Sequence, residues 1–184
     1  SRGLGDVYKR QDEKREELSK RFVPAFMRQI QGIESELEVF HALRSVKQEN
    51  TPKGEPLVTA MQQIGSGGIL ASLWELTEAA NVGMQIEMSR ISIRQECVEV
   101  CEYYHLNPYQ MTSAGTVLMV TRDGNALVRC LEESGARASV LGVTTADHAK
   151  VITSGDEVRY LDRPAPDELM RWWEEQAQKE VRSE

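Results

Sequence analysis

Four small residues, Gly65-Ser66-Gly67-Gly68, stand between a short apolar segment, LVTAM (57–61), and a run of apolar residues at helical spacing. A glycine turn that opens a helix can direct unpaired backbone N–H groups, and the positive end of the helix dipole, at an anion. This turn lacks the lysine of a Walker loop and the spacing of a dinucleotide fingerprint. It is therefore either a phosphate cradle or a tight strand-to-helix turn, and both interpretations stay open.

Acidic side chains on the helix that follows are the nearest candidates for acid–base chemistry. Glu75 and Glu78 are three residues apart and so share one helix face. Each fits a general base or a metal ligand, but charged residues on the solvated face of a helix are far commoner. No two histidines stand at metal-ligand spacing, and the three cysteines form no CxxC motif. The sequence therefore predicts no metal site, and Cys97 and Cys101 are expected to pack as small apolar side chains.

Composition excludes several classes of partner. The 184 residues suit one domain with an appended helical segment, and the formal net charge of −7 argues against a nucleic-acid partner. No apolar run approaches the roughly 20 residues that span a bilayer, so no membrane partner is expected. Three cysteines without a secretory signal fit a reducing compartment, and we expect a cytoplasmic protein.

The chain divides by composition into four segments. They are a tail (1–11), a helical segment with a linker (12–56), the domain proper (57–165) and a C-terminal helix (166–184). The tail is interpreted as an adapter segment from sequence assembly or as a disordered natural end. Pro24 predicts a break or a first-turn proline in the helical segment, and Asp167 predicts the cap of the last helix. Trp172 and Trp173 on that helix cannot both face one core.

Within the domain, predicted strands alternate with predicted helices. The strands are placed at 57–61, 82–88, 115–121, 138–145, 149–154 and 155–161, and the helices at 69–80, 93–106 and 123–135. The nearly continuous apolar run GTVLMVT (115–121) favours the middle of a sheet. On the first helix the inward residues are expected to be Ile69, Leu70, Leu73, Leu76 and Ala80. The pattern predicts an α+β (α/β-like) sandwich, with a mixed β-sheet and helices packed on one face.

Several sequence motifs between residues 57 and 165 resemble the C-terminal domain of the AIR (aminoimidazole ribonucleotide) synthase-related, or PurM-like, superfamily. They are IGSGGILASLWELTEAANVGMQIEM, the later TSAGTVLMV and LEESGARASVLGVTT. Within the superfamily the pattern is nearest to the hydrogenase maturation protein that dehydrates a thiocarboxamide. In this match Gly67 and Gly68 are the family's glycine pair, Ser113 and Gly115 its Ser-x-Gly motif, and Gly142 the glycine of a later strand.

The resemblance implies a site and its ligands. Phosphate or nucleotide contacts would come from two short segments, through Gly65, Ser66, Gly67, Gly68, Ser113 and Gly115, with Glu75 as an acidic helper. The parent family uses ATP and Mg²⁺, although we expect this chain alone to bind neither. The implied partners are a nucleotide-binding N-terminal domain of the same protein, which we expect to lie outside this chain, and a second copy in a homodimer.

Departures from the family pattern leave two functional hypotheses. Gln62 and Gln63 stand where the family often has His-Asp, Ser66 stands where it has an acidic residue or Gly, and KEVRSE lacks the terminal Cys of the hydrogenase-type protein. Glutamine is a poor ligand for a hard cation. The chain is therefore either the C-terminal domain of an ATP-dependent enzyme that activates an amide or carbonyl oxygen by phosphorylation, or a degenerate paralogue with a binding or scaffolding role in metallocentre assembly. No catalytic residue is assigned.

We predict that this chain alone does not hydrolyse ATP, because the family's nucleotide-binding half and the acidic loop residues are missing from it. The measurement is phosphate release from ATP in comparison with a buffer blank. Release above the blank that disappears when Gly67 is replaced by a bulkier residue would contradict the prediction.

Overall fold

The structure, a computed structural model, describes residues 13–32, 40–46, 49–113 and 115–183. The predicted tail (1–11) lies outside these residues, so its interpretation stays a prediction. The chain forms two compact units, Ser1–Glu36 and Leu37–Glu184. No helix among the described residues has the length and apolar character needed to cross a bilayer.

Two helices make up the described part of the first unit. Helix α1 covers residues 13–21, and helix α2 covers Pro24–Gly32. The interruption falls where Pro24 predicts it, because a proline lacks the N–H that a continuous helix would use and is tolerated in a first turn. Phe22 and Phe26 stack across the interruption, with ring centroids 4.7 Å apart.

The second unit alternates strands and helices, as predicted. Its elements are α3 (Phe40–Val46), β1 (Val58–Gln63), α4 (Gly68–Ala80), β2 (Gly83–Glu87), α5 (Gln95–Tyr104), β3 (Val117–Thr121), α6 (Gly124–Glu133), β4 (Gly142–Thr145), β5 (Lys150–Ser154), β6 (Glu157–Tyr160) and α7 (Glu168–Ser183). Single turns of 3₁₀ helix occur at Met88–Arg90 and Pro108–Gln110. The α+β class is confirmed.

The six strands form two sheets. Strands β1 and β3 pair antiparallel, and the other four have the order β4-β2-β5-β6, in which β2 and β5 are parallel. The expectation that GTVLMVT occupies the middle of a sheet was wrong, because β3 pairs with β1 alone among the described strands. Its apolar run has another cause: Leu118 belongs to one hydrophobic cluster, and its neighbour Met119 packs against a second. Side chains on both faces of β3 thus reach hydrophobic clusters, although β1 is its one partner strand among the described residues.

Helix α4 packs against the four-stranded sheet. Leu73 of α4 forms a cluster with Met84 and Ile86 of β2. Besides Leu73, the buried residues of α4 are small or short: Gly68, Ala71, Ser72 and Thr77. Thr77 Oγ1 donates to the carbonyl of Leu73 at 2.8 Å, so its hydroxyl is satisfied inside the core. Ala80, predicted to face inward, is exposed, because the buried face ends at Thr77.

The centre of this core should be sensitive to truncation. Ile152 of β5 is 1% exposed, and we expect Ile152→Ala to lower the free energy of unfolding by about 2 to 5 kcal/mol. Val158→Ala on β6 is the control, because Val158 is 63% exposed and should change that free energy by less than about 1 kcal/mol. Guanidinium unfolding of both variants is the measurement. Equal losses at the two positions would show that the buried face of the sheet is misassigned.

Candidate functional site

The glycine turn closes tightly between β1 and α4. Gly68 N–H donates to the carbonyl of Gly65 at 3.1 Å, and the buried Ile64 just before the turn donates to Thr116 at 3.0 Å. Gly67 has φ 81° and Gly68 has φ 70°, a backbone region that glycine occupies without the steric cost of a Cβ. The segment is therefore a tight strand-to-helix turn, which is one of the two structures that the sequence predicts for it.

Close backbone contacts give a second reason for two glycines. A Cβ on Gly68 would lie 2.6 Å from the Met111 backbone nitrogen, and one on Gly67 would lie 2.6 Å from Ala71 Cβ. The first contact shows that the start of α4 is covered by the segment that follows α5. Any larger residue at Gly68 would push these two segments apart.

A buried carboxylate, that of Asp167, joins the turn to the last helix. The side-chain oxygen Oδ2 accepts from the Gly67 N–H at 2.8 Å and from the Thr112 N–H at 2.8 Å. Its other oxygen, Oδ1, accepts from Leu169 at 3.0 Å and from Met170 at 3.2 Å. The residue is 4% exposed. Four charge-assisted hydrogen bonds offset the cost of burying this carboxylate.

The predicted cap of α7 is therefore confirmed, and the contact with Gly67 is a residue pairing that the sequence did not reveal. Leu169 and Met170 lie within three residues of Asp167, which is the ordinary reach of a helix cap. Gly67 lies 100 residues away. No local pattern signals a pairing at that separation.

The structure brings together the two segments that were predicted to bind phosphate, the glycine turn and the Ser113-x-Gly115 motif. The Ser113-x-Gly115 motif lies beside the glycine turn, because Ile64 pairs with Thr116, and Thr112 shares the Asp167 oxygen with Gly67. Ser113 Oγ is 2.8 Å from Thr116 Oγ1, and Gly115 has φ 75°. Whether these residues bind phosphate stays a prediction.

The acidic residues of α4 are tied to strands. Glu75 accepts a hydrogen bond from Gln62 Nε2 of β1 at 3.1 Å. Glu78 forms an ion pair with Lys150, a lysine of β5 whose Nζ lies 5.7 Å from the centre of the Trp74 ring. Over the described ranges, no three His, Cys, Asp or Glu side chains are grouped so that they could hold a metal ion.

The two thiols of α5 have pKa values above that of a free cysteine. Burial, and to a smaller extent the neighbouring Cys97, raises the pKa of Cys101 to about 11. Burial also raises the pKa of Cys97. The buried Cys101 Sγ lies 3.6 Å from Met111 Sδ. Cys101 therefore packs as a small apolar side chain, as expected, while Cys97 is only partly buried.

The two tryptophans of α7 differ in burial, although their rings contact each other edge-on with centroids 5.0 Å apart. Trp172 packs edge-on against Tyr104 of α5, with centroids 5.2 Å apart, and Trp173 is 40% exposed. A surface cavity of about 330 Å³ lies between the end of α5 and α7. Its wall includes Tyr104, Trp172 and Lys179.

Comparison with known proteins points to one family. The pattern described as AIR synthase related protein, C-terminal domain, matches residues 7–154. A putative hydrogenase expression/formation protein of Methanocaldococcus jannaschii is 30% identical over 120 residues, which cover 62% of this chain and 36% of that protein. Carbamoyl dehydratase HypE of Rhodobacter capsulatus is 26% identical over 123 residues, which cover 63% of this chain and 36% of that protein.

Solved structures agree on the fold. A crystal structure of E. coli HypE superposes with a TM-score of 0.60 at 18% identity, over 77% of this chain and 47% of that one. HypE in complex with ATP gives 0.54 at 15% identity, over 60% of this chain and 37% of that one. The chain spans between 36% and 39% of the length of the curated relatives it matches. The match over residues 7–154 shows that this chain belongs to the AIR synthase-related family and carries its C-terminal domain.

Proposed function

We propose that this chain works as the C-terminal domain of an ATP-dependent protein of the HypE type, joined to a nucleotide-binding domain. Supporting this, the relatives extend well beyond the matched region, and one HypE structure is a complex with ATP. The observation that carries the proposal is the Gly67 amide, which already holds an anionic oxygen at 2.8 Å. A terminal phosphate oxygen offers the same charge and acceptor geometry as that carboxylate oxygen.

In this proposal the chain contributes backbone donors. Gly65–Gly68 and the neighbouring Ser113-x-Gly115 motif would face the phosphates. The reaction class would be phosphorylation of an amide oxygen, which turns that oxygen into a leaving group. Gly67 and Gly115 have positive φ values and carry no Cβ, so no side chain of their own shields their backbone amides. Glu75, held by Gln62, would act as a helper at the edge of this surface. ATP, when bound, would supply the phosphoryl group.

The side chains near the turn do not fit a magnesium site. Gln62 uses its amide nitrogen on Glu75, and the described part of the chain brings no cluster of carboxylates to the turn. Hard cations prefer carboxylate oxygens. We therefore derive no step through Mg²⁺ for this domain.

A second candidate is a non-catalytic binding or scaffolding protein of metallocentre maturation. The hydrogen bond between Gln62 and Glu75 favours it, because this bond engages Glu75 within the domain. A crystal structure of a HypE–HypF complex, which this chain matches with a TM-score of 0.53 at 20% identity over 60% of this chain and 38% of that one, suggests a protein partner for a fold of this kind. A homodimer, as in the parent family, remains part of the first proposal.

The phosphate role of the turn is tested by Gly67→Val in a protein that pairs this domain with its nucleotide-binding domain. We expect nucleotide binding to be lost, because a branched Cβ collides with Ala71 and blocks approach to the backbone. Calorimetric titration with nucleotide is the measurement.

The matched control is Gly135→Val. Gly135 has φ 83°, but a Cβ there would meet nothing within 4 Å, so the variant carries the backbone strain without blocking the turn. That strain costs about 1 to 2 kcal/mol of stability in either variant. If the two variants, both folded, bind nucleotide equally well, the turn is only a helix start.

A further inference from the structure

The last helix is attached to the domain through one buried residue. From Ser154 to Arg182, every side chain whose burial is described is exposed or partly exposed, except that of Asp167. On the inner face of α7, Trp172 packs against Tyr104 and is itself only partly buried. The Asp167 carboxylate is therefore the buried attachment of this segment, and the hydrogen bond from the Asn107 N–H to Glu168 adds a second attachment nearer the surface.

The same carboxylate occupies the donors that the proposed function needs. Gly67 and Thr112 come from separate segments, and both donate to Oδ2 at 2.8 Å. The Ala165 carbonyl lies 3.6 Å from the position of a Cβ on Gly67, so the segment before α7 passes directly over the turn. A phosphate oxygen cannot reach the Gly67 N–H while this carboxylate is bound.

Lifting this segment would uncover little apolar surface. Asp162, Arg163, Ala165 and Pro166 are exposed, and Pro164 is partly exposed. Displacing residues 162–167 therefore costs mostly the hydrogen bonds to Asp167, and an incoming phosphate would replace two of these. Movement of α7 itself would also uncover part of Leu169 and of Trp172. The exchange substitutes one anionic oxygen for another on the same amides.

We propose that Asp167 is an internal, displaceable anion that closes the phosphate site of the glycine turn. A phosphate group takes the place of its carboxylate on Gly67 and Thr112, and the start of α7 is released. Reciprocally, docking of α7 closes the site, so the position of this helix and the occupancy of the turn are linked. The inference rests on the proposed phosphate role of the turn and adds a means of regulating it.

The direct test is Asp167→Asn in the full 184-residue chain, titrated with inorganic phosphate. Asparagine is a good helix cap, so its one oxygen can still accept from the first N–H groups of α7. Its nitrogen only donates, so the side chain cannot accept from Gly67 and Thr112 at the same time. Apparent affinity equals intrinsic affinity reduced by the open fraction of the site. If the wild-type site is open in about one molecule in ten, phosphate should bind the variant roughly tenfold more tightly.

Glu174→Gln is the matched control, since Glu174 is an exposed acid of the same helix that lies about two helical turns beyond Asp167. Its replacement should leave phosphate affinity at the wild-type value. Asp167→Ser serves if the asparagine variant does not fold, because serine also caps helices and its shorter side chain leaves Gly67 uncovered.

The outcomes separate this inference from the function on which it rests. Tighter phosphate binding by the Asp167 variant, with Glu174→Gln unchanged, supports the displaceable anion. Equal binding by wild type and variant keeps the phosphate site and overturns the closure. A folded variant that binds no phosphate overturns the phosphate role itself. If neither Asp167 variant folds, the carboxylate is a permanent structural clamp, and the inference is wrong.

Discussion

One buried negative charge with four hydrogen-bond donors connects three parts of the second unit. The carboxylate of Asp167 accepts four backbone N–H groups, from Gly67 at the start of α4, from Thr112 before β3, and from Leu169 and Met170 in α7. Removal of the carboxylate would leave these donors without their acceptor, and buried donors without acceptors are costly. The glycine turn, the Ser-x-Gly segment and the terminal helix are thus joined at a single side chain.

This interaction also shapes the chemistry open to the turn. Left-handed glycines, an early helix turn and a neighbouring backbone segment converge on one anionic oxygen, which is the arrangement expected of a phosphate-binding turn. In this chain that oxygen belongs to the protein. The pairing of Gln62 with Glu75 acts in the same direction, because it engages the acidic residue that lies nearest in sequence to the turn. Both features suit a domain in which a ligand gains its contacts only after it displaces the protein's own side chains.

Local features of the fold could be predicted from the sequence, and long-range pairings could not. The cap at Asp167 follows from a side-chain type that commonly caps helices, and it is present within three residues of the residue itself. The break before Pro24 follows from the missing proline N–H. The predicted position of β3 was wrong because an apolar run indicates that both faces of a strand are covered, and says nothing about how many strands pair along its edges. The contact between Asp167 and Gly67 joins residues that no periodic pattern relates.

The contact itself is measured most directly by through-hydrogen-bond couplings in nuclear magnetic resonance of the isotopically labelled chain. Couplings from the amide nitrogens of Gly67 and Thr112 to the carboxyl carbon of Asp167 should both be detected, since both amides lie 2.8 Å from one oxygen of that group. Added phosphate should weaken both couplings together. A folded chain that shows neither coupling, or one in which phosphate binds while both couplings stay unchanged, would contradict the central claim that this turn holds the protein's own anion in place of a ligand.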